Sequence, residues 1–169
     1  MRKLAFISLI LSLGSLSALA QTAYINSQTI LERIPEYATA QDQIERMKSQ
    51  YEAQIEQEVK SIETLFNQYQ AEKSRLSDAQ RQMRENDIIS RERKVKERQT
   101  EIFGQDGEMA IYSMDLLSPL MNRLKDAIDA VSREMDIVMV FDISVTQGVV
   151  YSDPKGDITN IVMARMNIK

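Results

Sequence analysis

The stretch from Glu36 to Phe103 constrains the fold of this chain most, because it contains no proline and no glycine. It is rich in Glu, Gln, Lys, Arg and Ala, which are good helix formers. Apolar residues recur along it mostly at steps of three or four, first densely and then more thinly: Ile44, Met47, Tyr51, Ile55, Val59, Ile62, Phe66, Tyr69 and Leu76, then Met83, Val95, Ile102 and Phe103. This spacing predicts a long helix with one narrow apolar stripe, which is typical of a coiled coil.

The apolar pattern is interrupted after Leu76, where the side-chain oxygen of Ser77 or Asp78 can cap the start of a second helix. The two halves have nearly equal lengths, each on the order of 60 Å at 1.5 Å per residue. Equal lengths favour an antiparallel hairpin that spans residues 36–117 and has its tip near 77–78. The alternative is an unbroken helical rod that dimerises.

Three residues in and just beyond the second arm are unusual for a helix. Gly104 and Gly107 each cost about 1 kcal/mol relative to alanine in a helix. We expect a soft point there, and the alternative is that the helix merely tolerates them. Proline in a helix interior removes a backbone hydrogen bond, so Pro119 predicts either a kink or a restart of the helix.

Two segments outside the hairpin, residues 21–35 and 118–169, predict a small body that contains strands. The predicted elements are a strand over 22–26, a short helix over 28–34 capped by Ser27, a central strand over 136–142, a further strand over 149–151 and a last helix from its cap Asp157 to Met166. A core built from about 70 residues in two pieces is marginal on its own. The sequence therefore predicts that copies of the chain associate.

The N-terminus has the three parts of an export signal. The basic residues Arg2 and Lys3 are followed by an apolar run over 4–13 and by small residues that end at Ala20. We expect residues 1–20 to be a signal peptide that is removed, which makes the mature chain an exported, soluble protein. In a Gram-negative cell this places it in the periplasm.

The chain has no His and no Cys, so the commonest proton shuttle, nucleophile and zinc ligands are missing. Asp153 and Asp157 could suggest a metal or acid–base site, but their positions favour a turn and a helix cap. We find no glycine-rich phosphate loop and no triad spacing in the sequence. We therefore expect no enzyme activity, no catalytic residue, no cofactor and no metal.

Basic residues are concentrated around the predicted tip. The window 73–98 contains nine of them against five acidic residues, whereas residues 21–169 contain 19 basic and 25 acidic residues. The nine are Lys73, Arg75, Arg81, Arg84, Arg91, Arg93, Lys94, Lys96 and Arg98. One interpretation is attraction of a basic tip to anionic partners such as a membrane surface, and the other is a solvated helix face with ordinary ion pairs. We expect no nucleic-acid partner, because the exported chain is acidic and this window has no aromatic residue.

The C-terminal part carries motifs of a known family. These are Leu117-Ser118-Pro119-Leu120, Asp126-Ala127-Ile128-Asp129-Ala130-Val131, the apolar strand up to Asp142, Val150-Tyr151-Ser152-Asp153-Pro154, and Asp157-Ile158-Thr159. Together with the export signal and the charged hairpin, they resemble the Skp/OmpH family of periplasmic chaperones over the whole mature chain. The resemblance implies a mainly α homotrimer in which long coiled-coil hairpins, or tentacles, project from a small β-barrel-like oligomerisation core. It also implies an ATP-independent holdase that binds unfolded outer-membrane β-barrel proteins in a cavity between the tentacles and prevents their aggregation.

A holdase needs exposed and adaptable apolar surface, which methionine supplies because its flexible thioether fits many shapes. Five candidates for client contact lie where the second arm approaches the body: Ile102, Phe103, Met109, Tyr112 and Met114. The alternative is that these residues fill gaps between the two arms. An alternative for the whole chain is an exported structural coiled-coil adaptor that binds one specific folded partner of the envelope.

Overall fold

The computed structural model describes residues 21–168, so the predicted signal peptide lies outside the described residues. The elements in chain order are β1 (Gln21–Ile25), α1 (Ser27–Glu32), α2 (Pro35–Glu72), α3 (Asp78–Phe103), α4 (Glu108–Glu134), β2 (Ile137–Asp142) and α5 (Thr159–Arg165), with single 3-10 turns at Lys73–Arg75 and Pro154–Gly156. The predicted fold class is confirmed: the chain is mainly α, with a long helical hairpin and a small body that contains strands.

Two local signals shape the hairpin. Pro35 is the first residue of α2, where its missing N–H costs no hydrogen bond. Ser77 is the N-cap of α3: its Oγ accepts from the backbone N–H of Gln80 at 3.4 Å, and the Gln80 Oε1 accepts from the backbone N–H of Ser77 at 3.0 Å. This capping box satisfies two amides that a helix start would otherwise leave free. The chain therefore reverses between α2 and α3.

The hairpin has a narrow apolar interior. Its buried cluster consists of Ile55, Val95, Ile102 and Met109. Nearer the tip, Tyr69 is buried and its hydroxyl donates to the carboxylate of Glu85. The buried stripe is narrower than predicted, because Val59 and Phe66 remain 45% and 44% exposed. At 100° per residue both lie on one flank of the buried line of α2, which α3 does not cover.

The second arm is two helices rather than the single helix that we expected. Gly104 ends α3, with its N–H donating to the Thr100 carbonyl oxygen at 2.8 Å, and Gly107 precedes α4. A Cβ atom on Gly104 would collide with that same carbonyl oxygen, and one on Gly107 would lie 2.7 Å from the carbonyl oxygen of Glu101. The predicted soft point is therefore a complete break, at which the backbone turns too tightly for a side chain. In contrast, α4 runs through Pro119 without a restart.

The body is built on a parallel pair of strands. Ala23 of β1 lies opposite Val140 of β2, and Tyr24 makes a further bridge to Asp157 on the other side of β1. One core packs against this pair and contains Ala23, Ile25, Ile30, Leu31, Ile34, Leu120, Leu124, Ala127, Val131, Ile158, Val162 and Met166. Since parallel strands need a crossover connection, the whole hairpin serves as the connection between β1 and β2.

Two body strands differ from the prediction. β2 is not central, because within residues 21–168 it pairs only with β1. Its Val138 is 72% exposed, which leaves one edge and much of one face uncovered. Residues 149–151 form no strand, and the Val150 side chain is fully exposed. An apolar run in the sequence does not show whether that segment forms a strand or which strands it pairs with.

The caps in the body also differ in detail. Asn26, rather than Ser27, caps α1, and its Oδ1 accepts from the Thr29 N–H at 3.0 Å. The Asp157 carboxylate accepts from the Thr159 N–H at 2.9 Å, one residue before the N-cap position of α5. The Asp153 carboxylate accepts from the Lys155 N–H at 3.0 Å and so stabilises the predicted turn.

Candidate functional site

The five predicted client-contact residues divide into two groups. Ile102 is completely buried and Met109 nearly so, and both belong to the hairpin interior. These two side chains fill the gap between the arms and cannot contact a client while the hairpin is closed. Phe103 is 42% exposed, Met114 is 61% exposed, and Tyr112 is partly buried. The accessible part of the predicted set is therefore Phe103, Tyr112 and Met114.

A second apolar stripe lies on the outer side of α4. We define the α4 stripe as Ile111, Met114 and Met121, whose side chains are all exposed. Their spacings of three and seven residues place them on one side of the helix, whereas Leu120 and Leu124 turn into the body core. Sequence reasoning missed Ile111 and Met121 as candidates. The sequence does contain a signal for them: exposed apolar residues recur at helical spacing on a different side of α4 from the residues that enter the core.

A polar cluster bridges the break between α3 and α4. We define the Glu108 clamp as Tyr51 of α2, Arg98 of α3 and Glu108 of α4. The Tyr51 hydroxyl donates to one Glu108 carboxylate oxygen at 2.6 Å, and the Arg98 guanidinium donates to the other at 2.7 Å. The guanidinium also lies 5.9 Å from the centre of the Tyr51 ring, and the Phe103 ring meets Tyr51 edge-on with centroids 6.5 Å apart. The clamp therefore ties three helices together where the backbone is interrupted.

The clamp also changes the acidity of its members. The hydrogen bond from Tyr51, followed by that from Arg98, lowers the pKa of Glu108 below its ordinary value of 4.5. The same hydrogen bond raises the pKa of Tyr51 above 10.0, because ionising the phenol beside a carboxylate is unfavourable. Glu108 is thus held in its charged form.

The basic window extends along α3 and is not confined to the tip. Arg98 lies about 30 Å from Ser77 along the helix at 1.5 Å per residue. Six of the nine basic residues form ion pairs: Lys73–Glu85, Arg81–Asp78, Arg84–Glu72, Arg91–Asp87, Arg93–Glu97 and Arg98–Glu108. Within residues 21–168 no ion pair is found for Arg75, Lys94 or Lys96. Most basic residues of this window therefore fit the interpretation of a solvated helix face with ordinary ion pairs.

The body exposes apolar side chains on β2 and in the segment that follows it. They are Val138, Met139, Phe141, Val145, Val150 and Tyr151. The described part of the chain contains no helix that is long and apolar enough to cross a membrane. Across those same residues, no group of three or more acidic side chains is placed to hold a metal ion. The surface features that remain are apolar patches and charged helix faces.

Comparison with known proteins gives the family. The model of a family described as "Outer membrane protein (OmpH-like)" matches residues 21–166. The chain belongs to the OmpH-like family. The predicted Skp/OmpH resemblance is thereby confirmed. No curated protein matches the chain.

A solved structure shows the same fold as this OmpH-like chain. It is a crystal structure from Caulobacter crescentus CB15 of a protein provisionally described as an outer membrane chaperone (OmpH-like). The two chains share 15% identity and superimpose with a TM-score of 0.64 over 89% of this chain and 85% of that chain. The likeness covers both the hairpin and the body.

Proposed function

We propose that this OmpH-like protein is an ATP-independent holdase of the periplasm that binds unfolded outer-membrane β-barrel proteins and prevents their aggregation. The observation that supports this best is the exposed apolar surface at the base of the hairpin, formed by the α4 stripe with Phe103. Methionine supplies two of its side chains, and such flexible side chains can fit many different sequences. Holding an unfolded chain requires no catalytic residue, nucleotide or cofactor.

The proposal includes a homotrimer whose hairpins enclose the client in a cavity. The free edge of β2 and the exposed Val138 and Phe141 support self-association, because an uncovered strand edge beside apolar surface favours pairing with another chain. Three bodies joined in this way would place three hairpins around one space. The α4 stripe would then face the client from several sides.

Two further parts of the proposal concern location. The N-terminal sequence, with its basic start and apolar run, supports export to the periplasm. Arg75, Lys94 and Lys96, which form no ion pair within residues 21–168, would provide a peripheral contact with anionic membrane surfaces. The six paired residues contribute less to this attraction, because their charges are already compensated locally.

Light scattering tests the function directly. An unfolded outer-membrane β-barrel protein is diluted from urea with and without the purified chain from Gln21 onwards, in the absence of nucleotide. We expect scattering to fall sharply near one oligomer per client. We expect the double change Ile111→Gln and Met114→Gln to weaken this protection, and a matched variant nearer the tip, Met83→Gln with Ile89→Gln, to preserve it.

A folded, oligomeric protein that leaves scattering unchanged would overturn the holdase proposal. Saturable binding to one folded envelope protein, with none to unrelated unfolded chains, would then support the adaptor alternative. Sedimentation of the chain alone tests the trimer separately. A single monomeric species at working concentration would contradict that part of the proposal.

A further inference from the structure

A groove lies across the middle of the hairpin, between α2 and α3. Its apolar floor is formed by Val59, Ile62 and Phe66 of α2 and Val95 of α3. Its polar lining consists of Glu63, Glu92, Lys96 and Gln99. Its volume is about 610 Å³. Phe66 lies about 22 Å further along α2 than Tyr51 of the Glu108 clamp, at 1.5 Å per residue. The groove is therefore separate from the α4 stripe at the hairpin base.

The exposed part of the groove contributes little to closing the hairpin. The buried line of α2 contains Ile55 and Tyr69, whereas Val59 and Phe66 lie beside it and keep nearly half of their surface in water. Exposing two large apolar side chains to water on an otherwise charged arm is unfavourable for the isolated chain. A partner that covers them would remove that cost.

We propose that this groove is a second contact site for the client, and that it takes an extended segment with apolar side chains at alternate positions. The inference rests on the proposed holdase function. Val59 and Phe66 are seven residues apart, about 10 Å along the helix axis. Side chains on one face of an extended strand repeat every ~6.8 Å. Two such side chains fit over the floor while the polar face of the segment stays in water, and outer-membrane β-strands have this alternation.

The polar lining of the groove offers hydrogen-bonding groups to an unfolded segment. Glu63 and Glu92 provide carboxylates and Lys96 an ammonium group near the floor, and Gln99 also lines the groove. An unfolded strand has free backbone N–H and C=O groups, which need acceptors and donors of these kinds. Lys96 has no ion pair within residues 21–168, so its ammonium group is open to such a carbonyl.

The small size of the groove argues against a second copy of this chain as its occupant. A stable interface between proteins buries about 800 Å² on each partner. Val59 and Phe66, each less than half exposed, offer only a small part of that area. The groove therefore suits a weak, reversible contact, which a holdase needs in order to release its client.

A binding experiment with a matched control tests the site. The groove variant carries Val59→Asn and Phe66→Asn, and the control carries Met83→Asn and Ile89→Asn, two apolar positions that are more exposed and lie outside the groove. The probe is a fluorescent 20-residue peptide with alternating apolar and polar residues. We expect the groove variant to bind this peptide several-fold more weakly than the wild type, and the control to bind it normally. Circular dichroism and sedimentation verify that both variants remain folded and associated.

Cross-linking gives an independent readout that does not depend on the variants folding well. A photoreactive phenylalanine analogue at position 66 should form adducts with an unfolded outer-membrane β-barrel protein. Equal peptide affinity for the groove variant and the control, or adducts only between copies of the chain, would overturn the groove inference. Failure of the wild type to suppress aggregation would instead overturn the holdase proposal. In that case the peptide affinity and the adducts would still decide whether the groove binds an extended segment.

Discussion

The body and the hairpin of this protein are held together in different ways. The body buries twelve residues in one core that draws on both ends of the described chain. The hairpin is much longer, yet the buried cluster that joins its arms contains four residues. The body therefore depends on contacts that are distant in sequence, whereas the hairpin depends on local helix formation, a cap and a narrow line of side chains.

This difference explains where the chain tolerates substitutions. A substitution in the body core meets many neighbours, so its effect spreads through the fold. A substitution on the exposed flank of the hairpin meets solvent or a partner, as at Val59, Phe66 and the α4 stripe. Surfaces for binding can thus be placed on the hairpin without disturbing what holds the body together.

The largest expected effect comes from emptying the body core. Ile30 and Ile102 are both completely buried, the first in the body and the second in the hairpin. We expect Ile30→Ala to lower the free energy of unfolding by about 2–5 kcal/mol, and Ile102→Ala to cost less because the arms can close around the gap. Urea denaturation followed by circular dichroism measures both. A greater loss from Ile102→Ala would show that the hairpin is the better packed region.

A partly buried polar link in the body should have the next largest effect. The Asp142 carboxylate accepts from the Ser27 N–H at 3.1 Å and from the N–H and hydroxyl of Ser144 at 3.0 and 2.7 Å. Asp142→Ala leaves these donors without their acceptor, and we expect a loss of about 1–3 kcal/mol. Thermal unfolding measures it, with Asp153→Ala in the exposed turn as a control of smaller effect.

The same carboxylate predicts a dependence on pH. Partial burial tends to raise the pKa of Asp142, but the hydrogen bonds from Ser27 and Ser144 outweigh it and lower the pKa below 3.8. A lowered pKa in the folded state means that the stabilisation is complete above this value and is lost as the pH falls through the folded-state pKa. The difference in stability between the wild type and Asp142→Asn should therefore shrink in strong acid. A difference that is constant from neutral to strongly acidic pH would contradict this role.

At the hairpin tip, the capping box predicts a local effect. Ser77→Ala removes the side-chain acceptor for the Gln80 N–H, at a cost of about 1 kcal/mol. We expect faster hydrogen exchange in the first turn of α3 and little change in the body. Ser74→Ala, in the neighbouring 3-10 turn, is the matched control. Destabilisation of the whole protein by Ser77→Ala would mean that the two regions are more strongly coupled than their packing indicates.

The Glu108 clamp should give the smallest effect, and one that is confined to the helix break. Because its hydrogen bonds lower the pKa of Glu108, the stabilisation is complete above pH 4.5 and is lost as the pH falls through the folded-state pKa. We expect Glu108→Gln to speed hydrogen exchange around Gly104 and Gly107 at neutral pH, with no difference from the wild type in strong acid. Tyr51→Phe should act in the same direction. A difference that persists well below pH 4.5 would exclude charge as the cause.

The sequence was most informative where structure is local. Ser77, one of the two residues predicted to cap the second helix, does cap it, because a capping serine acts through its immediate neighbours. The break at Gly104 was underestimated, since a helical glycine and a helix end look alike until the backbone path is known. The free edge of β2 could not be predicted, because the neighbours of a strand are set by residues far along the chain.

The candidate site was predictable only in part for a related reason. The apolar residues near the hairpin base were identified by type and position, but periodicity alone did not separate Ile102, which is buried, from Phe103 beside it. On α2, Phe66 and Val59 belong to the predicted stripe but lie about 40° and about 60° from its centre at 100° per residue. Whether the second arm covers that side of α2 depends on the distance between the two helices. The local sequence pattern does not contain this distance.

The parallel pairing of β1 and β2 also determines how this chain must fold. Ile25 and Ile137 end up in neighbouring strands although the whole hairpin separates them in sequence. Closing so long a loop is slow, because its entropy must be lost before distant contacts form. Helices form within microseconds, so zipping of the arms would bring Pro35 near Leu116 and Leu120, which lie around one shallow pocket in the folded chain. The hairpin thus shortens the search by which the two strands meet, and the rate of body formation should depend on how quickly the arms pair.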